Sequence, residues 1–160
     1  MSHLFVFLHV VTAILFIGPV AVTTSMFAPT YRKAKGGDAG AAGQLRLLHR
    51  ISRLYSMISL VVPVLGLILL FGFGEGKGEY GFHIATLLSI IAWAVLLFLV
   101  IPSQRRGLVA ADALEAGDTP ASEDEAAKAR TNTTKLPGQL AMFAGIFNLL
   151  WFVTAILMFV

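Results

Sequence analysis

The chain has 160 residues, 57% of them hydrophobic and only 13% charged, with a mean hydropathy of +0.80. A soluble domain of this size has too little interior to hide so much apolar surface, so composition places the protein in a membrane. The absence of cysteine excludes disulfides, thiolate chemistry, iron–sulfur clusters and cysteine-ligated zinc, and the formal charge of +3 sits in loops, which argues for membrane topology and against nucleic-acid binding.

The first predicted span runs from Leu4 to Pro29 (LFVFLHVVTAILFIGPVAVTTSMFAP) and carries no Asp, Glu, Lys or Arg. Met1, Ser2 and His3 supply no positive n-region and the apolar run exceeds a signal h-region, so a retained span is expected, not a cleaved leader. At ~1.5 Å per residue it is longer than a ~30 Å hydrocarbon core requires. Gly18–Pro19 is the expected kink, because proline removes one backbone bond and crowds the preceding turn. Thr23, Thr24 and Ser25 can return hydroxyls to that loosened backbone or to a neighbouring helix. Loop one, Thr30 to Arg53, sets Arg32, Lys33, Lys35, Arg46, Arg50 and Arg53 against Asp38 alone. Its GGDAGAAG centre is expected to be flexible, and QLRLLHRISRLY to resume helical spacing. Arg46, Arg50 and Arg53 recur at i, i+4 and i+7, one basic stripe at headgroup level. Topological anchoring is the expected role, with specific lipid or partner docking as the alternative.

Span two covers about residues 54–74 and contains Pro63 and Gly66, a second expected kink. The glycine-rich connection GEGKGEYG, with Glu75, Lys77 and Glu79, suits antiparallel neighbours. Span three, about residues 80–102, carries Tyr80, His83 and Trp93. In loop three (residues 103–135), GLVAADALEAG is expected to extend span three as a helix. DTPASEDEAAKAR is expected to form a second short helix, with Ser122 and Glu125 at capping-box spacing and Asp124–Lys128 as an i, i+4 pair. Span four, about residues 136–160, presents Gly138, Ala141 and Gly145 as a small-residue ridge suited to close helix approach, and span three offers Ala85, Ser89 and Ala92 in a similar pattern. Asn148, one turn from Trp151, needs a partner at membrane depth, most simply on another helix.

All twelve Lys and Arg lie in loops: six in loop one, Lys77 in loop two, and Arg105, Arg106, Lys128, Arg130 and Lys135 in loop three. The positive-inside rule puts loops one and three in the cytoplasm and both termini outside. The expected fold is therefore an all-α, four-transmembrane-helix bundle in the cell (plasma or inner) membrane. In that topology His9 and His83 enter from the same side at similar depth. If spans one and three are neighbours, the two imidazoles would suit a bis-histidine haem, a copper ion or a quinone-facing pair. The competing reading leaves each imidazole in the interfacial zone, bonded to water, headgroup or backbone. No span contains a carboxylate for a proton relay, and no H-E-x-x-H, phosphate-binding loop or nucleophile elbow occurs.

FLHVVTAILFIGPV resembles the opening L-H-x-x-x-A-x-x-x-x-G helix of a group of small membrane proteins. The group comprises copper-resistance D-type proteins, HemJ-type protoporphyrinogen oxidases and the integral membrane family called domain of unknown function 2269. HRISRLYSMISLVVPVLGLILLFG and EYGFHIATLLSIIAW resemble that group's second and third helices, with the last-named family the nearest. The resemblance implies a four-helix membrane protein with no established reaction. The HemJ-type comparison carries a haem-site histidine onto His9 but expects a lysine where Ala85 stands, which argues against protoporphyrinogen oxidation and leaves haem binding by His9 and His83 open. The expected function is a non-enzymatic accessory subunit packing in the lipid bilayer against other subunits of a larger, respiratory assembly. The alternative is a haem- or copper-binding membrane protein.

Overall fold

The computed structural model describes residues 2–73, 80–115, 117–119, 121–131 and 133–158. Among them the chain is helical throughout its regular structure: α1 (Ser2–Lys35), α2 (Ala39–Ile58), α3 (Val61–Leu67), α4 (Tyr80–Val95), α5 (Ile101–Ala110), α6 (Glu123–Thr131) and α7 (Leu136–Leu157). Helix α3 passes into a π-helical stretch at Ile68–Phe73, and α4 continues through another at Leu96–Val100 into α5. Four apolar rods result, each long enough to cross a bilayer: His3–Lys35, Ala39–Phe73, Tyr80–Ala110 and Leu136–Leu157. The expected all-α four-helix membrane bundle is the observed architecture.

Helix α1 packs on α2 and α7, α4 packs on α7 and α3, and α5 packs on α2. Consecutive spans are thus neighbours and span four closes against span one, which leaves spans one and three on a diagonal. The glycine-rich segment after α1 is a tight turn, not the flexible centre expected of GGDAGAAG. Gly37 takes φ +92°, a conformation open to glycine at little cost, and Asp38 caps α2 by accepting from the amides of Gly40 (2.9 Å) and Ala41 (3.2 Å). With α1 continuing to Lys35 and α2 starting at Ala39, most of loop one is helix.

Helix α1 runs unbroken through Gly18–Pro19, and the interruption falls in span two. Pro63 has no amide to offer the carbonyl of Ser59, and its ring crowds that carbonyl. The chain responds with tighter bonds at Ser59–Leu60, where the amide of Leu60 bonds Met57 O (3.3 Å) and that of Val62 bonds Ser59 O (3.0 Å). The released Ser56 carbonyl accepts instead from Ser59 Oγ (3.0 Å) and from Trp93 Nε1 of α4 (3.0 Å). Residues 74–79 of the GEGKGEYG connection lie outside the described residues.

Two cores hold the bundle. At its basic end, Phe27 and Tyr31 of α1 pack with Leu45 and Leu48 of α2, Leu108 of α5, Ala129 of α6 and Leu136 and Leu140 of α7. Midway along, Val20, Ala92, Leu96, Val100 and Phe147 form the second. Large apolar side chains elsewhere, among them Phe7, Ile14, Phe71, Phe98 and Phe152, are exposed on the bundle surface and meet lipid.

Helix α5 ends at Ala110, short of the expected extension through GLVAADALEAG. Asp112 adopts φ 50°, the amide of Ala113 bonds Leu108 O (2.9 Å) and that of Asp112 bonds Val109 O (3.2 Å), a Schellman stop. The second short helix forms as α6, with Ser122 Oγ accepting from the amide of Glu125 (3.2 Å), but the Glu125 carboxylate turns to Arg105. Asp124 and Lys128 form no ion pair with each other. Gly107 lets α5 approach α1, since a Cβ there would lie 2.9 Å from Cε1 of the buried Phe27 ring. Gly107→Ala is expected to destabilise the bundle by about 1–3 kcal/mol through overpacking, read as a lower unfolding temperature in mild detergent.

Candidate functional site

The two histidines marked as a cofactor pair sit in different settings, His9 buried and His83 exposed. The imidazole of His9 is buried against span two, beside the backbone of Val62, and Gly66 makes room for it: a Cβ there would stand 3.3 Å from the ring. Its Nδ1 has no hydrogen-bond partner among the described residues. His83 is exposed on α4, on the diagonal span. No cluster of three or more His, Cys, Asp or Glu side chains that could hold a metal ion occurs among the described residues.

The small-residue patterns separate. Ala85, Ser89 and Ala92 are buried where α4 meets its neighbours. Gly138, Ala141 and Gly145 are exposed, and a Cβ at either glycine would meet nothing within 4 Å. The contact face of α7 is instead Leu136, Leu140, Ala144, Phe147 and Thr154, about 100° per residue around the helix from the ridge. Asn148 finds its partner inside the chain, donating from Nδ2 to Ser25 Oγ of α1 (2.8 Å), while its Oδ1 has none among the described residues. The Thr23–Ser25 hydroxyls act in both expected ways: each bonds a carbonyl of its own helix, and Thr23 and Ser25 also reach other helices.

The best-formed polar constellation lies at the basic end. Thr23 Oγ1 of α1 and Ser52 Oγ of α2 share a hydrogen bond of 2.8 Å, Gln104 Nε2 of α5 donates to Ser52 Oγ (3.2 Å), and Gln104 Oε1 pairs with His49 Nδ1 (3.2 Å). Thr23, Ser52 and Gln104 are all buried. This chain of groups ties three spans together. Its one legible sign in sequence was Thr23; Ser52 and Gln104 lie within stretches read as loops, and only the lengthened helices bring them inside.

The basic stripe of α2 is divided among three tasks. Arg46 Nε donates to Ala113 O (2.7 Å) and, with Lys35 Nζ on Ala110 O (3.2 Å), neutralises the carbonyl end of α5. Arg50 pairs with Glu115 (3.0 Å) across an exposed surface, and Arg53 has no ion-pair partner among the described residues. Within the chain the stripe thus supplies one internal cap, one surface pair and one cation without an ion-pair partner among the described residues. Between this face of α2 and the segment after α5 opens a cleft of about 370 Å³. The cations and His49 line its upper part with Glu115 and Asp118, and Leu54, Met57 and Ile58 line its lower part. Three guanidinium groups make this part of α2 costly to place in hydrocarbon, and the charge-free stretch suited to it begins at Leu54.

His49, above that boundary, is held below the ordinary histidine range by burial first. The bond to Gln104 and the charge of Asp118 oppose this, and Arg53 and Arg105 reinforce it. An unfolded histidine takes its proton near pH 6.5 while the folded ring resists it, so the His49 contribution is full above that pH and is lost as pH falls below it. Unfolding temperatures at pH 7.5 and 5.5 are expected to differ more for the wild type than for His49→Gln. Gln104→Leu is expected to cost about 1–3 kcal/mol at either pH, by stranding the partners of a buried amide.

Compared with protein-family models, with curated proteins and with solved structures, the chain matches none.

Proposed function

We propose that this protein is a non-enzymatic accessory subunit of a larger membrane assembly, docking through the exposed ridge of α7. The observation that supports the reading is the open space at Gly138 and Gly145, which flank the exposed Ala141 on a helix whose own-chain contacts lie elsewhere. Helix association in lipid gains little from hydrophobicity and depends on close backbone approach, which small residues permit. A respiratory complex is the first assembly to test, and membership of the domain of unknown function 2269 family, carried by LHVVTAILFIG, belongs to the same reading. The Lys and Arg distribution supports a cytoplasmic basic end.

In blue-native electrophoresis of mildly solubilised native membranes, the wild type is expected to migrate within a larger complex of mixed composition. A Gly138→Leu, Gly145→Leu double variant is expected to migrate alone with an unchanged unfolding temperature, because a Cβ at either site meets nothing within 4 Å among the described residues. Wild-type migration as the chain alone, or only with copies of itself, would sink the reading. The cysteine-free background also allows the orientation to be tested. Lys128→Cys is expected to react with an impermeant maleimide only from the cytoplasmic side, and labelling of intact cells would reverse the orientation.

A further inference from the structure

The cleft on α2 offers an entering molecule both signs of charge and an apolar exit, in a fixed order. Leu54, Met57 and Ile58 stand at the lipid end with 56%, 62% and 39% of their surfaces exposed, so the cleft opens laterally into the hydrocarbon. Arg53 comes next. Arg50 and Glu115 follow one helical turn further from the membrane, about 4.5 Å along the axis. Asp118 lines the same cleft; one of its oxygens accepts from the amide of Glu115 (2.9 Å). The Arg50–Glu115 pair leaves 74% and 44% of its side chains exposed, and such surface pairs contribute only about 0–1 kcal/mol, so both partners are open to exchange.

Apolar wall, free cation and then carboxylates is the order of groups along a phospholipid whose headgroup ends in a primary ammonium. A guanidinium takes phosphate oxygens in a forked geometry, and an ammonium brings three N–H donors to carboxylates. A purely anionic headgroup would set its charge against Glu115 and Asp118, and a choline headgroup has no N–H to donate. The volume of about 370 Å³ falls in the range of small-molecule sites and leaves the acyl chains outside. We propose that the cleft seats a phosphatidylethanolamine-class lipid. Its phosphate lies on Arg53 and Arg50, its ammonium between Glu115 and Asp118, and its acyl chains leave over Leu54, Met57 and Ile58. This site lies on α2 and is independent of the α7 ridge.

The test is native mass spectrometry of the delipidated full chain, given equal amounts of phosphatidylethanolamine, phosphatidylglycerol and phosphatidylcholine with identical acyl chains. Phosphatidylethanolamine adducts are expected to exceed both others by several-fold. Arg53→Gln and Asp118→Asn are each expected to bring them down to the phosphatidylcholine level. Both variants spare the fold: Arg53 is exposed and has no ion-pair partner among the described residues, and asparagine retains an acceptor for the Glu115 amide. Equal or greater retention of phosphatidylglycerol would show a merely basic surface and overturn the proposal. So would a phosphatidylethanolamine preference that survives in both variants.

Discussion

In hydrocarbon a polar group released from its helix has no water to turn to, and the packing of this bundle follows from that constraint. Pro63 breaks the hydrogen-bond ladder of span two, and the freed Ser56 carbonyl is taken by Ser59 of its own chain turn and by Trp93 of span three. The break therefore becomes a joint between two spans. Asn148 follows the same logic: its amide is costly in lipid unless paired, and Ser25 of span one pairs it. Such bonds in membranes average only about 0.6 kcal/mol, so their value lies in choosing which helices meet more than in the strength of the meeting.

The basic end is where the chain spends its specific interactions. The Thr23–Ser52–Gln104–His49 series fixes spans one, two and three in register, and the largest buried cluster lies beside it. Lys35 and Arg46 stabilise the carbonyl end of α5, where a Schellman turn sends the chain back across α2 toward α6. Arg105 then clasps Glu125 through Nε (2.9 Å) and a second guanidinium nitrogen (3.3 Å), holding α6 in place. Cations that by sequence mark only topology are therefore also structural.

Apart from His83, fewer side-chain ties between spans occur among the described residues of the opposite end. Phe5 and Phe73 meet as tilted rings with centroids 4.9 Å apart between spans one and two, and His9 fits against Gly66, but large apolar residues there are turned to lipid. This asymmetry explains why the constellation with the richest chemistry sits at the headgroup boundary, although the histidines first draw attention to the other end. A cleft with an ordered set of charges needs a rigid frame, and the buried polar series supplies one wall of it through His49.

Much of this architecture was legible in the residues. Hydrophobic runs of membrane length, bounded by charge, state that four helices cross a bilayer, because hydropathy reports the solvent of each segment directly. Local signals were read correctly where their partners are local: the Ser122–Glu125 cap, and a disturbance of span two at Pro63. Inferences that require a second element go beyond what spacing alone can state. GGDAGAAG looked flexible because glycine is permissive, yet Asp38 capping and the helices on either side reduce it to a turn at residues 36–38. Gly138, Ala141 and Gly145 have the spacing of a packing ridge, but spacing is periodic only about its own axis and does not say which face a neighbour takes. His9 and His83 share a depth, and depth says nothing of azimuth. The sequence by itself determined that the chain is an all-α membrane protein with its charge gathered at one end. Tertiary structure alone decided that spans one and three are diagonal, that Ser52 and Gln104 are buried, and that Arg53 shares a cleft with Glu115 and Asp118, because each depends on the rotation of one helix against another.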